Sequence, residues 1–221
     1  MKPILFSGPM VRAILDGRKT QTRREIKTPG GNVLGVYLPD LGYALGGKIF
    51  ENLTNEDDPI CVMTPVGIVR PRYLPGDILW VRETWRLQNY GYDPSTQTYK
   101  GQELQYRADF TDEENAIYGR RGGCAPCKWK PSIHMPREAA RIFLRVTKVK
   151  VERLQAISES DAQAEGCGYG FHNDGVNKYI QNHTPKEQFA AIWNSLHSKK
   201  GCGWEADPCV WVYEFERVEN E

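Results

Sequence analysis

The stretch Gly17-Arg18-Lys19-Thr20-Gln21-Thr22-Arg23-Arg24 crowds a lysine, two threonines and three arginines into eight residues. It follows a segment from Pro9 to Asp16 whose apolar residues recur at helical spacing. Proline suits the first turn of a helix, and glycine suits the left-handed residue that ends one. The pattern therefore predicts a helix over 9–16 with the basic block directly after it. Arginines in such a block can hold an anion, and a lysine that loses its proton can activate a hydroxyl. A solvated basic turn is the alternative interpretation.

The composition is that of an ordinary globular chain. Of the 221 residues, 40% are hydrophobic and 26% are charged, and the formal net charge is +1. A net charge this close to zero excludes a global basic field, so a polyanion site must be a local patch. The sequence shows neither an apolar run of membrane-spanning length nor a signal-peptide pattern. We therefore expect a soluble, cytoplasmic protein that does not engage a membrane; the oligomeric state is left open.

Local patterns predict the remaining elements. Strands are expected over 61–69, 78–85, 141–151 and 209–218. Helices are expected from Ser158 to Ala164 and after Thr184, where Thr-Pro-Lys-Glu forms a capping box. Residues 29–59 and 86–130 are interpreted as two long insertions, the first with a short hairpin near 33–38. The sequence thus predicts a single α+β domain over 1–221.

Taken together, these segments resemble the ASCH domain, a member of the PUA-like superfamily of small β-barrels associated with RNA. The matching segments are the helix with its basic block, Gly76-Asp77-Ile78-Leu79-Trp80, the stretch from Ile157 to Gly166, and Trp211-Val212-Tyr213-Glu214-Phe215. The segments Trp80–Trp85 and Trp129–Arg137 are similar to longer, phage-type members. The resemblance implies a PUA-like β-barrel with flanking helices, here carrying the two insertions.

The resemblance also implies a chemistry. Some ASCH proteins are amidohydrolases that deacetylate acetylcytidine with a lysine, a threonine and a glutamate. By motif position these roles fall on Lys19 as base, Thr22 as nucleophile and Glu165 as acid/base partner. A threonine hydroxyl needs a base at neutral pH, and a lysine qualifies when burial or nearby cations lower its pKa. Lys19 and Thr22 are three residues apart, so they share a face of a helix but not of a regular strand.

An RNA or modified-nucleoside partner would require aromatic stacking and cationic contacts. The candidate substrate-binding residues are Arg18, Arg23, Arg24, Trp80, Glu83, Trp85, His134 and Arg137. Tryptophans on strands are also typical core residues, and Glu83 is expected either to contact substrate or to pair with an arginine such as Arg23 or Arg82. Two further functions fit the same cleft. A ribonuclease would use Lys19 and the arginines to stabilise charge, and a binding module would hold RNA without catalysis.

The cysteines leave a metal site open. Cys124 and Cys127 have the spacing of half a zinc site, and His134 lies seven residues further on. No second paired motif accompanies them, so no cofactor is predicted, with structural zinc in this loop as the alternative. The cysteines as a group are interpreted as reduced thiols, as is usual in cytoplasmic proteins.

Overall fold

The computed structural model describes residues 1–28, 31–32, 43–45, 48–50, 62–64, 67–111, 128–168 and 184–219. These contain the α-helices α1 (Gly8–Leu15), α2 (Glu159–Ala164) and α3 (Pro185–His197). The strands are β1 (Lys2–Leu5), β2 (Gln21–Glu25), β3 (Lys27–Thr28), β4 (Gly31–Asn32), β5 (Tyr43–Leu45), β6 (Lys48–Phe50), β7 (Val62–Thr64), β8 (Gly67–Val69), β9 (Ile78–Arg82), β10 (Trp85–Asp93), β11 (Thr98–Tyr106), β12 (Phe143–Arg153) and β13 (Cys209–Val218). Sheets with few helices make the fold α+β, as the sequence predicts.

The chain divides into two compact units. The first comprises Met1–Asp16, Ile78–Leu144 and Arg217–Glu221, and the second comprises Gly17–Asp77 and Arg145–Glu216. The prediction of a single domain over 1–221 stays a prediction.

The first unit is built around β9. This strand pairs in parallel with β1, and its Val81 amide donates to the carbonyl oxygen of Ile142 at 3.0 Å, just before β12. β10 and β11 form a long antiparallel hairpin in which Trp85 lies opposite Tyr106. Trp85 packs with Met135 and Ala139 in a small apolar cluster that holds the base of this hairpin.

The second unit contains the strands that carry the basic block. β13 lies between β12 and β2, and it pairs antiparallel with β2, with Tyr213 opposite Thr22. α3 presents Phe189 and Trp193, four residues apart and therefore on one helix face, to the core. That core consists of Leu154, Ile157, Ala162, Cys167, Phe189, Trp193, Val210 and Val212. Burial of this apolar surface is the main force that fixes α2 and α3 against the strands.

The predicted helices and their caps are confirmed, although α1 runs from Gly8 to Leu15 and not over 9–16. Gly17 follows α1 with φ at +74°, in the left-handed region that glycine adopts without strain. The Ser158 side chain accepts a hydrogen bond from the Asp161 amide at 3.0 Å, and Thr184 accepts one from the Glu187 amide at 3.3 Å. Both are reciprocal capping boxes, as the sequence indicates.

Some predicted strands need correction. The segment 61–69 holds two short strands, β7 and β8, paired as a hairpin. The segment 78–85 is divided, because Glu83 and Thr84 separate β9 from β10. The strand predicted over 141–151 runs instead from Phe143 to Arg153, whereas that over 209–218 is confirmed.

The two insertions also differ from expectation. The hairpin β10–β11 occupies the first part of the insertion 86–130. In the insertion 29–59, β5 and β6 pair antiparallel, whereas the hairpin predicted near 33–38 lies outside the described residues. No helix in the described ranges is long and apolar enough to cross a membrane.

Candidate active site

The basic block is anchored within the second unit through the backbone of Thr20. Thr20 donates its amide hydrogen to the carbonyl oxygen of Ala164 at 2.9 Å and accepts at its own carbonyl from the Phe215 amide at 2.8 Å. These bonds tie the residues before β2 to the last turn of α2 and to β13. The block is therefore not a solvated turn, and Glu165 is brought beside it.

Lys19 and Glu165 form a buried ion pair. The Lys19 Nζ lies 2.7 Å from Oε2 of Glu165, and the two side chains are 0% and 4% exposed. Nζ also donates to the carbonyl oxygens of Glu165 and Gln21, both at 2.8 Å. An ammonium group has three donors, and these acceptors match them in number.

Burial dominates the proton affinity of Lys19. Desolvation lowers its pKa below the ordinary value, and Arg24 lowers it further, against the opposing effect of the Glu165 carboxylate. The net direction is downward. This is the direction that a lysine needs in order to act as a base near neutral pH.

Arg23 belongs to the same buried cluster. Its Nη1 lies 3.2 Å from Oε1 of Glu165, and its Nη2 contacts Oε1 of Glu152 and lies 3.6 Å from Oδ2 of Asp161. The Arg23 side chain is fully buried. Gln21 adds two hydrogen bonds to Asp161, at 2.7 Å to its carbonyl oxygen and 3.2 Å to its carboxylate.

Thr22 lies on the opposite face of β2 from Gln21 and Arg23, because successive side chains alternate across a strand. It is buried and faces Tyr213 of β13 across the sheet register. Lys19 precedes β2, so the alternation of side chains along that strand does not determine which way the Lys19 side chain points. Residues 18–20, between the turn at 16–17 and β2, are neither helix nor strand.

Arg24 and Arg18 lie differently from Arg23. Burial lowers the pKa of the half-buried Arg24, whereas Glu165, Tyr73 and Tyr213 oppose this effect. Arg24 therefore stands within electrostatic range of the Glu165 carboxylate. Arg18 is exposed, and its Nη1 donates to the carbonyl oxygen of Gly166 at 3.4 Å.

The other predicted site residues belong to the first unit. Trp80 and Trp85 are buried, with Arg82 centred 5.1 Å from the Trp80 ring and the Lys130 amine 4.6 Å from the Trp85 ring. Both tryptophans therefore take the core role that the sequence left as an alternative to stacking on a base.

Glu83 pairs with an arginine, as one of the two expectations for it had it, but the arginine is Arg141 and not Arg23 or Arg82. Glu83 is 1% exposed, and its oxygens accept from Arg141 at 2.9 and 3.1 Å. Arg141 also donates to Asp109 at 2.7 and 2.8 Å and covers the Tyr106 ring at 3.9 Å. Both oxygens of this buried carboxylate are therefore hydrogen-bonded to Arg141, which links Glu83 to Asp109.

His134 and Arg137 are exposed, each in a short 3₁₀ turn. Arg137 donates to the sulfur of Met1 at 3.0 Å. Both remain candidates for a surface contact within the first unit.

Glu152 and Asp161 were missed by sequence reasoning. Each lies more than 125 positions from Arg23 in the chain, at separations of 129 and 138, and no local pattern joins them. The one available signal was the charge of Arg23 itself, because a buried arginine requires carboxylate partners.

The alternative of a structural zinc site depends on Cys124 and Cys127. Cys124 and Cys127 lie outside the described residues. Within the described ranges there is no group of three His, Cys, Asp or Glu side chains that could hold a metal ion. Cys167, Cys202 and Cys209 are buried and carry no disulfide bond within the described part of the chain.

In comparisons with protein-family models, with curated proteins and with solved structures, nothing matches this chain.

Proposed function

We propose that this chain is an ASCH protein with a PUA-like barrel that engages RNA or modified nucleosides and hydrolyses the amide of an acetylcytidine-type base. The observation that carries the proposal is the buried pair of Lys19 and Glu165, whose Nζ and Oε2 atoms lie 2.7 Å apart. Lys19 stands three residues before Thr22 in the sequence. A lysine whose pKa is lowered by burial, beside a carboxylate that can exchange its proton, is a suitable general base.

The first half-reaction forms an ester on Thr22. Neutral Lys19 takes the hydroxyl proton as Oγ1 of Thr22 bonds to the amide carbonyl carbon, and the carbonyl electron pair moves onto oxygen. Collapse of this tetrahedral species breaks the C–N bond. Lys19, with Glu165 as its proton partner, returns a proton to the departing exocyclic nitrogen.

The second half-reaction regenerates the enzyme. Water adds to the ester carbon, giving up a proton to Lys19, and the Thr22 oxygen leaves with that proton. The balance is one amide and one water consumed, and one amine and one acetic acid formed, which ionises to acetate and a proton. The Thr20 amide already donates to Ala164, so it is not among the backbone donors available to the oxyanion.

The arrangement of the arginines favours this reaction over cleavage of an RNA backbone. A ribonuclease needs cations around a phosphate, but the Arg23 guanidinium is buried among Glu152, Asp161 and Glu165. Phosphate contacts would fall to Arg18 and Arg24. A binding module would not need a buried lysine whose pKa is lowered, because surface lysines serve that purpose.

The test compares acetylcytidine with labelled single-stranded RNA, both followed by chromatography. We expect deacetylation by the wild-type protein and intact RNA, and a loss of activity of about 100-fold or more in Lys19→Met. Lys27→Met, which changes an exposed lysine, is the matched control and should retain activity. Shortened RNA with intact acetylcytidine would identify a ribonuclease, and binding without turnover of either substrate would identify a binding module.

A further inference from the structure

Lys19 and Arg23 share the carboxylate of Glu165, one oxygen each. Lys19 Nζ lies 2.7 Å from Oε2, and Arg23 Nη1 lies 3.2 Å from Oε1. We propose that Arg23 is a positioning residue that takes Oε1 of Glu165, directs Oε2 toward Lys19, and weakens the hold of this carboxylate on the lysine proton. The inference rests on the proposed function, in which Lys19 must lose that proton to serve as base.

The surroundings of Arg23 suit this role and not substrate binding. Its side chain is fully buried, with Glu152, Asp161 and Glu165 as carboxylate partners and the Phe189 ring centred 5.8 Å from the guanidinium carbon. A guanidinium enclosed in this way cannot receive a phosphate from solvent without breaking buried ion pairs, which is strongly destabilising.

The charged groups around Lys19 and Arg23 determine whether removing Arg23 makes Lys19 easier or harder to deprotonate. Glu152, Asp161 and Glu165 contact Lys19 or Arg23, and the Lys150 amine lies 3.3 Å from Glu152. Negative charge beside an amine favours its protonated form.

Arg23 offsets the negative charge of Glu165, the carboxylate in contact with Lys19. The other groups that act on Lys19 are Arg24, which favours the neutral amine, and the thiol of Cys167, which favours the protonated one. Removal of Arg23 should therefore make Lys19 harder to deprotonate.

Two substitutions should move Lys19 in opposite directions. Arg23→Gln removes the cation that neutralises Glu165, so Lys19 should lose its proton at a higher pH than in the wild type. Glu152→Gln leaves Arg23 to Asp161 and Glu165, so Lys19 should lose its proton at a lower pH. Glu152→Gln is the milder change, because the Glu152 side chain is 18% exposed, and it carries the test if Arg23→Gln does not fold.

A matched control is available on β13. Glu214 faces the Lys150 amine at 3.9 Å, and Glu152 faces the same amine at 3.3 Å. Glu214→Gln therefore removes a carboxylate beside Lys150 while leaving the Arg23 ion pairs in place. It should leave the Lys19 titration unchanged.

The measurement is a pH titration of the full chain carrying ¹³C-labelled lysine, with the Lys19 signal assigned by its loss in Lys19→Arg. Deacetylation is followed in parallel, and we expect the acid limb of the pH–rate profile to move with the Lys19 titration, with about tenfold slower turnover at neutral pH in Arg23→Gln. A Lys19 titration that is the same in Glu152→Gln and in Glu214→Gln would overturn the inference, whether or not the protein is active. Opposite shifts in a protein that leaves acetylcytidine intact would uphold the role of Arg23 and refute the proposed function.

Discussion

Glu165 ends a helix through its backbone and binds residues from the N-terminal part of the chain through its side chain. It is the C-cap of α2, and Gly166 follows it with φ at +93°. Its side chain accepts from Lys19 and Arg23, more than 140 residues earlier in the chain. Removing one partner of such a buried cluster leaves an uncompensated charge, which typically costs about 3–5 kcal/mol. Glu165→Gln is therefore a better probe of chemistry than Glu165→Ala.

Cys167 offers a test of burial beside this glutamate. Burial raises the pKa of its thiol to about 12, with Glu165 raising it and Lys19 lowering it. Because the thiolate is the nucleophile, alkylation of Cys167 in the native protein should be on the order of 100-fold slower or more than in the unfolded chain. Peptide mass spectrometry after timed exposure to iodoacetamide, with and without denaturant, measures this ratio. Equal rates in the two conditions would contradict the buried placement of this thiol.

Among the secondary-structure elements, the capping box of α2 both stabilises that helix and holds Asp161, a carboxylate partner of Arg23. The Ser158 hydroxyl accepts from the Asp161 amide, and Asp161 also faces Arg23. Ser158→Ala should lower the free energy of unfolding by about 1 kcal/mol, because it leaves a helix N-terminal donor without its cap. Gln163→Ala, an exposed change in the same helix, should be close to neutral. Denaturant unfolding measures both, and equal effects would argue against the capping box.

Elements defined by neighbouring residues could be predicted from the sequence. The caps at Ser158 and Thr184 and the glycine after α1 were all identified, because the hydrogen bonds that define them span only a few residues. The strand Cys209–Val218 was identified from its apolar run. The proposal that Lys19, Thr22 and Glu165 act together came from the resemblance to a family, not from the pattern of residues alone.

Elements defined by tertiary partners could not be predicted. β10 and β11 carry exposed tyrosines, including Tyr90, Tyr92 and Tyr99, so the alternation of apolar and polar residues that marks a half-buried strand is absent. Glu83 interrupts the apolar run after β9 because Arg141 satisfies it. The carboxylates of Arg23 come from β12 and α2, and only folding brings them together.

At the scale of the molecule, the predicted site residues are divided between the two units. Lys19, Thr22 and Glu165 belong to the second unit, where three of the arginines, Arg18, Arg23 and Arg24, also lie. Trp80, Glu83 and Trp85 belong to the first unit and are buried there in stabilising contacts. The proposed chemistry therefore needs residues of the second unit alone.

The stability of the molecule should depend on pH through His197. Its ring stacks on Trp193 at 4.1 Å in the last turn of α3, and burial lowers its pKa below 6.5 despite Glu25 nearby. Between the folded-state pKa and the unfolded value, the unfolded chain binds more protons, so the free energy of unfolding falls as the pH is lowered through this window. His197→Gln should remove this component. Denaturant unfolding at a series of pH values measures it, and an unchanged slope in the variant would contradict the prediction.

The proposed reaction depends on attack of the Thr22 hydroxyl on an acyl group. The most direct measurement is acetate release from acetylcytidine by the wild-type protein, Thr22→Ser, Thr22→Ala and the exposed control Thr20→Ala. We expect turnover in the wild type, Thr22→Ser and Thr20→Ala, and none above background in Thr22→Ala, because only that variant lacks the nucleophile. Equal acetate release by Thr22→Ala and the wild type would refute the role of Thr22, and no release by the wild type would refute the proposed reaction.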